Sequence, residues 1–109
     1  MSQEFATYPS LRGQVAFVSG GATGLGAEFV AQLAAQGMRV GFIDLQDDAG
    51  SALAETLVRD GHPEPLYQHC DVRDVEALQH AIAVTGERLG PVTVLVNNAA
   101  NDHGSRSRR

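Results

Sequence analysis

The chain has 109 residues, enough for one small domain with a modest core, and 43% hydrophobic against 19% charged residues places it among globular rather than disordered chains. A net charge of −5 argues against nucleic-acid binding through a basic surface, and the single cysteine excludes an internal disulfide or a cysteine zinc cluster. No apolar run approaches the ~20 residues that a membrane span needs, which excludes a membrane-spanning segment.

The first residues, Met-Ser-Gln-Glu-Phe, lack the basic start and apolar stretch of a secretory signal, so the cytoplasm is the expected location. Residues 1–14 read as a surface arm punctuated by Pro9 and Gly13. Val15–Ser19 follows as a first strand, apolar nearly throughout, as expected where both faces of a sheet are covered. A glycine-rich turn then opens onto a helix in which Leu25, Phe29, Val30, Leu33 and Ala34 recur at helical spacing as far as Gln36, with Gly37 at the left-handed cap position. Arg39–Asp44 reads as a second strand ending on an acid. Asp47 or Asp48 is placed to cap a second helix, with Ala49, Leu53 and Leu57 along one face and Gly61 closing it. After the loop His62-Pro-Glu-Pro65, Leu66–Cys70 is a short third strand, with Cys70 read as core. Asp71-Val-Arg-Asp74 leads into a third helix with its apolar stripe at Val75, Leu78, Ile82 and Leu89, stopped by Gly90-Pro91. Val92–Val96 is a fourth strand, followed by Asn97-Asn-Ala-Ala100.

Strand and helix thus alternate three times before a fourth strand. The predicted fold is α/β, a partial Rossmann arrangement with a parallel sheet of about four strands in the order 3-2-1-4 and helices on both faces. A single unit over 1–102 is expected, with 103–109 as a disordered basic tail. Net charge is −7 over residues 1–100 and +2 over 101–109, and the chain contains no lysine.

The chemistry-bearing stretch is Ser19-Gly-Gly-Ala-Thr-Gly-Leu-Gly26. Glycines at 20, 24 and 26 let the backbone turn sharply and approach a ligand, while the helix start presents N–H donors to an anion. Such a turn also occurs for purely structural reasons; its context after a strand and before a helix is what points to a dinucleotide. Asp44 ends the next strand 18 residues after Gly26. There it can accept hydrogen bonds from ribose hydroxyls and repel a 2′-phosphate, or simply cap a loop. No arginine stands in the turn or just after Asp44, so NAD is expected in preference to NADP. His62, His69, His80 and His103 show no metal-ligand spacing and read as structural or solvated.

These residues resemble the short-chain dehydrogenase/reductase family. Ser19–Gly26 is similar to its Thr-Gly-x-x-x-Gly-x-Gly signature, with serine replacing the first threonine. Asp71-Val72 resembles its adenine-contacting pair, and Asn97-Asn98-Ala99-Ala100 its Asn-Asn-Ala-Gly motif, with Ala100 in place of glycine. The resemblance implies hydride transfer between NAD and an alcohol or carbonyl, with Ser19, Gly20, Thr23, Gly24, Leu25, Gly26, Asp44, Leu45, Asp71, Val72, Asn97, Asn98 and Ala99 around the cofactor. A narrower resemblance, in Tyr8-Pro-Ser-Leu11, Pro65–Asp71 and Asn97–Asp102, is to the NAD-dependent sugar 1-dehydrogenases of this family, the D-xylose type especially; it implies an aldose substrate.

The family's catalytic base is a tyrosine made usable by a lysine four residues later, because tyrosine alone titrates near ~10. Here tyrosines stand only at 8 and 67 and no lysine accompanies them, so no catalytic residue is assigned and these 109 residues are expected to bind cofactor without turnover. The tail His103–Arg109 has no apolar residue and reads as out-of-frame translation ending at a premature stop, a solvated basic tail or a deliberate truncation; the downstream DNA distinguishes them. The fourth strand, apolar and without charge or proline, is expected as an exposed edge that promotes self-association through 92–96. Two rival readings remain: a non-catalytic nucleotide-binding or regulatory module, and a non-functional frameshifted fragment. The partner expected on the first reading is a nicotinamide dinucleotide, with no nucleic acid and no membrane.

Overall fold

A computed structural model describes residues 9–98. Ala99, the tail and residues 1–8 lie outside the described residues. Four strands, β1 (Val15–Ser19), β2 (Arg39–Asp44), β3 (Leu66–His69) and β4 (Val92–Asn97), form one parallel sheet in the order β3-β2-β1-β4. Three helices, α1 (Gly24–Ala35), α2 (Asp47–Arg59) and α3 (Val75–Leu89), connect them. The predicted α/β class and strand order are therefore those of the molecule.

The five residues of β1 are all buried because helices cover both its faces. Ala16 and Val18 face one layer, where Val30 and Ala34 of α1 and Leu57 of α2 pack with Met38, Val40 and Phe42. Phe17 faces the other, with Ile43, Cys70 and Ala81 of α3. The arrangement places α1 and α2 on one face and α3 on the opposite one. Strand β4 instead alternates half-buried and exposed positions, and Leu95 is 65% exposed. It pairs with β1 on one side and is the sheet's edge among the described residues.

Three local expectations are corrected by the packing. Leu25 and Val75, placed on apolar stripes by spacing, are 61% and 62% exposed. Leu25 lies off the face that α1 buries through Gly26, Val30 and Ala34, and Val75 lies in the first turn of α3, short of Ala81 and Thr85, which are its buried residues. Thr85 is a polar residue in the core, tolerated because its hydroxyl donates to the Ala81 carbonyl at 2.8 Å and meets the Gln68 amide at 3.2 Å. The N-cap of α2 is Gln46, not Asp47 or Asp48, and it makes no side-chain cap bond. Asp47 is drawn sideways to β3, where it accepts from the Tyr67 hydroxyl at 2.6 Å and pairs with His69 Nδ1 at 2.9 Å.

The described part of the expected arm is tied to the body. Pro9–Leu11 forms a 3-10 turn, Leu11 packs against the core, Gly13 N–H donates to the Gly37 carbonyl at 2.9 Å, and Arg39 N–H donates to Gln14 at 2.8 Å. Among the described residues no helix is long and apolar enough to cross a membrane.

Candidate functional site

Parallel strands send all their C-terminal ends to one edge of the sheet, and the loops that leave them surround a cleft of about 670 Å³. Its first wall is the turn after β1. Gly20 and Gly24 adopt positive φ, 69° and 58°, which bends the chain back into α1. Both Gly20 and Gly21 donate their N–H groups to the Ile43 carbonyl, at 2.9 and 3.1 Å, so the end of β2 grips the turn. At Gly26 a Cβ would stand 1.8 Å from the Gly20 carbonyl oxygen. The helix start is thus pressed against the turn closely enough that only glycine fits. Thr23 is the N-cap of α1 but makes no side-chain cap bond. The first-turn N–H groups of α1, which have no intrahelical acceptor, are left for an anion.

The second wall is the end of β2. The Asp44 carboxylate accepts three backbone N–H groups: Leu45 at 2.7 Å and Gln46 at 3.1 Å on Oδ1, and Ala22 at 3.1 Å on Oδ2. A carboxylate offers roughly four lone-pair sites, so most of its acceptor capacity is used within the protein. From the β2–α2 side the Gln46 amide reaches across to the Thr23 hydroxyl at 3.5 Å.

The third wall is the loop after β3. Asp71 holds Arg73 in a two-pronged pair, Oδ1 accepting from Nε at 3.1 Å and Oδ2 from Nη2 at 2.9 Å, with the Arg73 backbone N–H also on Oδ1 at 2.9 Å. These hydrogen bonds and the Asp71 charge push the Arg73 pKa up, fixing it as a cation. Cys70 is buried, and burial, with the Asp74 and Asp71 charges behind it, pushes its thiol pKa up; it is a neutral wall. At the end of β4, buried Ser19 donates to Asn97 Oδ1 at 3.0 Å and Asn98 Nδ2 donates to the Gly20 carbonyl at 3.3 Å. Those bonds stitch β4 to the glycine turn.

Of the residues singled out in the sequence, Gly20, Thr23, Gly24, Leu25, Asp44, Leu45, Asp71, Val72 and Asn98 line the cleft. Ser19, Gly26 and Asn97 stand behind it, shaping the turn rather than facing the space. Ala99 lies outside the described residues. Sequence reasoning missed Ile43, Gln46, Cys70 and Arg73, which also line it. Ile43 and Cys70 immediately precede chosen acids, and the Asp-x-Arg spacing of Asp71 and Arg73 was the available signal for the fourth. Among the described residues no group of His, Cys, Asp and Glu could hold a metal ion.

The comparisons with known proteins converge. A family model described as short chain dehydrogenase matches residues 14–108. The D-xylose 1-dehydrogenase of Caulobacter vibrioides is 41% identical over 97 residues, covering 89% of this chain and 37% of its own length. A solved Serratia marcescens short-chain dehydrogenase/reductase superposes with a TM-score of 0.77 at 37% identity, over 81% of this chain and 36% of that one. An actinorhodin polyketide ketoreductase solved with NADPH superposes at 0.73 and 35% identity, over 78% of this chain and 32% of that one. The chain therefore spans about a third of the length of the proteins it matches.

Proposed function

The chain belongs to the short-chain dehydrogenase family, whose members bind NAD or NADP, and on that footing we propose that its cleft holds the adenosine and pyrophosphate of NAD. The observation that carries the proposal is the Gly20–Gly26 contact: the turn packs so tightly on the helix start that a Cβ would lie 1.8 Å from a carbonyl, which brings the start of α1, at Gly24 and Leu25, to the cleft with first-turn N–H groups that have no intrahelical acceptor. Such a helix start suits the charge of a pyrophosphate. In this reading Gly20, Thr23, Gly24 and Leu25 face the phosphates, with Ser19 and Gly26 holding the turn. Asp44 and Leu45 take the adenosine ribose, Asp71 and Val72 the adenine, and Asn97, Asn98 and Ala99 close the far side.

NAD is proposed over NADP because Asp44 places negative charge where a 2′-phosphate would sit. Arg73 alone among the described arginines lines the cleft, and its pairing with Asp71 spends the charge that could otherwise attract that phosphate.

The bound dinucleotide supplies a hydride acceptor; the protein's part is to bind and orient it. These 109 residues contain no lysine and no Tyr-x-x-x-Lys pair. We propose that they bind cofactor without turnover, and that oxidation of an alcohol, an aldose by likeness to the D-xylose enzyme, needs chain beyond them. Calorimetric titration of the purified chain with NAD, NADP and ADP, beside a dehydrogenase assay with D-xylose, tests both halves. Binding of NAD and ADP, at least tenfold weaker binding of NADP and no turnover is the expected result. A chain that binds none of the three sinks the cofactor reading, and measurable turnover sinks the claim about the missing base.

A further inference from the structure

Asp44 sits where a dinucleotide site needs an acid for the ribose, yet in this molecule its carboxylate is largely committed to the protein. Oδ1 receives Leu45 N–H and Gln46 N–H, and Oδ2 receives Ala22 N–H, at 2.7 to 3.1 Å. Ala22 belongs to the glycine turn, whereas Leu45 and Gln46 begin the β2–α2 loop. The half-buried carboxylate is therefore a cross-brace between two walls of the cleft. The neighbouring Ile43 carbonyl adds two more bonds to the same turn, from Gly20 and Gly21. Of roughly four acceptor sites on a carboxylate, three are occupied, and the one left lies on Oδ2.

We propose that Asp44 is a positioning residue for the pyrophosphate turn as well as a contact for the ribose. It holds the segment Gly20–Gly24 at the spacing that lets the α1 N–H groups meet a phosphate, and it offers the ribose about one acceptor site rather than a separate one for each hydroxyl. The physical ground is the strength and direction of the bonds. Hydrogen bonds to an ionised acceptor are about twice as strong as neutral ones, and the turn they restrain contains Gly20, Gly21 and Gly24, residues that do little to restrain their own backbone. Charge removal at this position thus acts on the phosphate site through Ala22, not only on the choice between NAD and NADP. The proposal rests on the cofactor reading above.

The test separates the two roles by ligand. ADP carries both ribose hydroxyls and the pyrophosphate; 2′,3′-dideoxy-ADP keeps the adenine and the pyrophosphate but lacks both hydroxyls. Calorimetric titration of the 109-residue chain and of Asp44→Asn with each ligand gives four dissociation constants. Asparagine preserves the shape and one acceptor oxygen but turns an amide toward Leu45 and Gln46 or toward Ala22. The expected result is about tenfold weaker binding of dideoxy-ADP by Asp44→Asn, the loss that goes with one charge-assisted bond. Unchanged dideoxy-ADP affinity, with ADP alone weakened, overturns the brace and leaves Asp44 as a ribose contact. If Asp44→Asn does not fold, amide hydrogen exchange on the wild-type chain decides: an Ala22 amide exchanging as freely as a solvent-facing one overturns the proposal, and one protected until global unfolding upholds it. Failure of the wild-type chain to bind ADP counts against the cofactor reading alone, and the same exchange measurement still judges the brace.

Discussion

Single residues at the cleft are constrained by contacts that leave little room for substitution. Gly26→Ala puts a methyl group against the Gly20 carbonyl, where 1.8 Å is available, and backbone cannot swing aside as a side chain can. The expected loss of stability is at least the ~1–3 kcal/mol of ordinary overpacking, with ADP binding abolished; thermal denaturation and calorimetry of the variant check both. Asp47 offers a pH test. Its carboxyl pKa is held below the usual carboxylate range by the Tyr67 hydroxyl first and by His69 second, while burial and the bond to Asp47 push the Tyr67 pKa up. Because folding lowers the Asp47 pKa, its contribution is complete above the unfolded value of about 3.9 and fades as pH falls through the lower folded one. A stability difference between wild type and Asp47→Asn is therefore expected at pH 6 and should close on acidification, followed by denaturant titration at each pH. A gap that persists at pH 2 contradicts the assignment. Neither partner of Asp47 was legible in the sequence, because residues 47, 67 and 69 meet only through the pairing of β2 with β3.

Elements were legible where their signals are local. Helix α3 begins where Asp74 stands because its Oδ1 accepts the Ala77 N–H at 3.1 Å, a bond written in four consecutive residues. Asp74→Ala is expected to cost about 1 kcal/mol in chemical denaturation, with the cleft unchanged. Helix α2 shows the limit of such reasoning: two aspartates at its start suggested a cap, and the sheet took one of them instead. Strand β4 presents Leu95 at 65% exposure on an edge with no neighbour among the described residues. The 109-residue chain is accordingly expected to self-associate through residues 92–96 as concentration rises. Leu95→Lys should shift it toward monomer in size-exclusion chromatography without altering its circular dichroism. A wild-type chain that elutes as a monomer at all concentrations counts against the edge as an adhesive surface.

At the scale of the whole molecule, the cleft exists only when three separate loops are brought to one edge of the sheet, so ligand binding and folding are coupled. A ligand that binds the folded chain at a concentration one hundred times its dissociation constant adds about 2.7 kcal/mol of stability. For a domain of this size that amounts to a rise in melting temperature of about 10 °C or more. Scanning the chain with and without NAD under those conditions is expected to show the rise, and NADP at the same concentration a smaller one. No shift with either would mean that the cleft, though formed, does not hold a dinucleotide.

The alternation of strands and helices, the glycine turn and the acid that ends β2 are legible in the sequence alone, and the strand order follows from that alternation through the handedness of parallel crossovers. The elements, the turn and the acid are encoded locally, in hydrophobic period, in cap residues and in glycine spacing. Contacts between distant segments are set by the packing of the sheet and its helices. Asp44 read as a ribose contact or a loop cap, and the fold put Ala22, 22 residues earlier in the chain, on its carboxylate. Leu25 and Val75 satisfied the helical period yet are left exposed, since periodicity groups residues on a face but does not fix which side of that face is covered or how far the layer beneath it extends. Hydrogen-bond partners and layer edges are set by contacts between residues far apart in the chain, and no pattern of near neighbours carries that information.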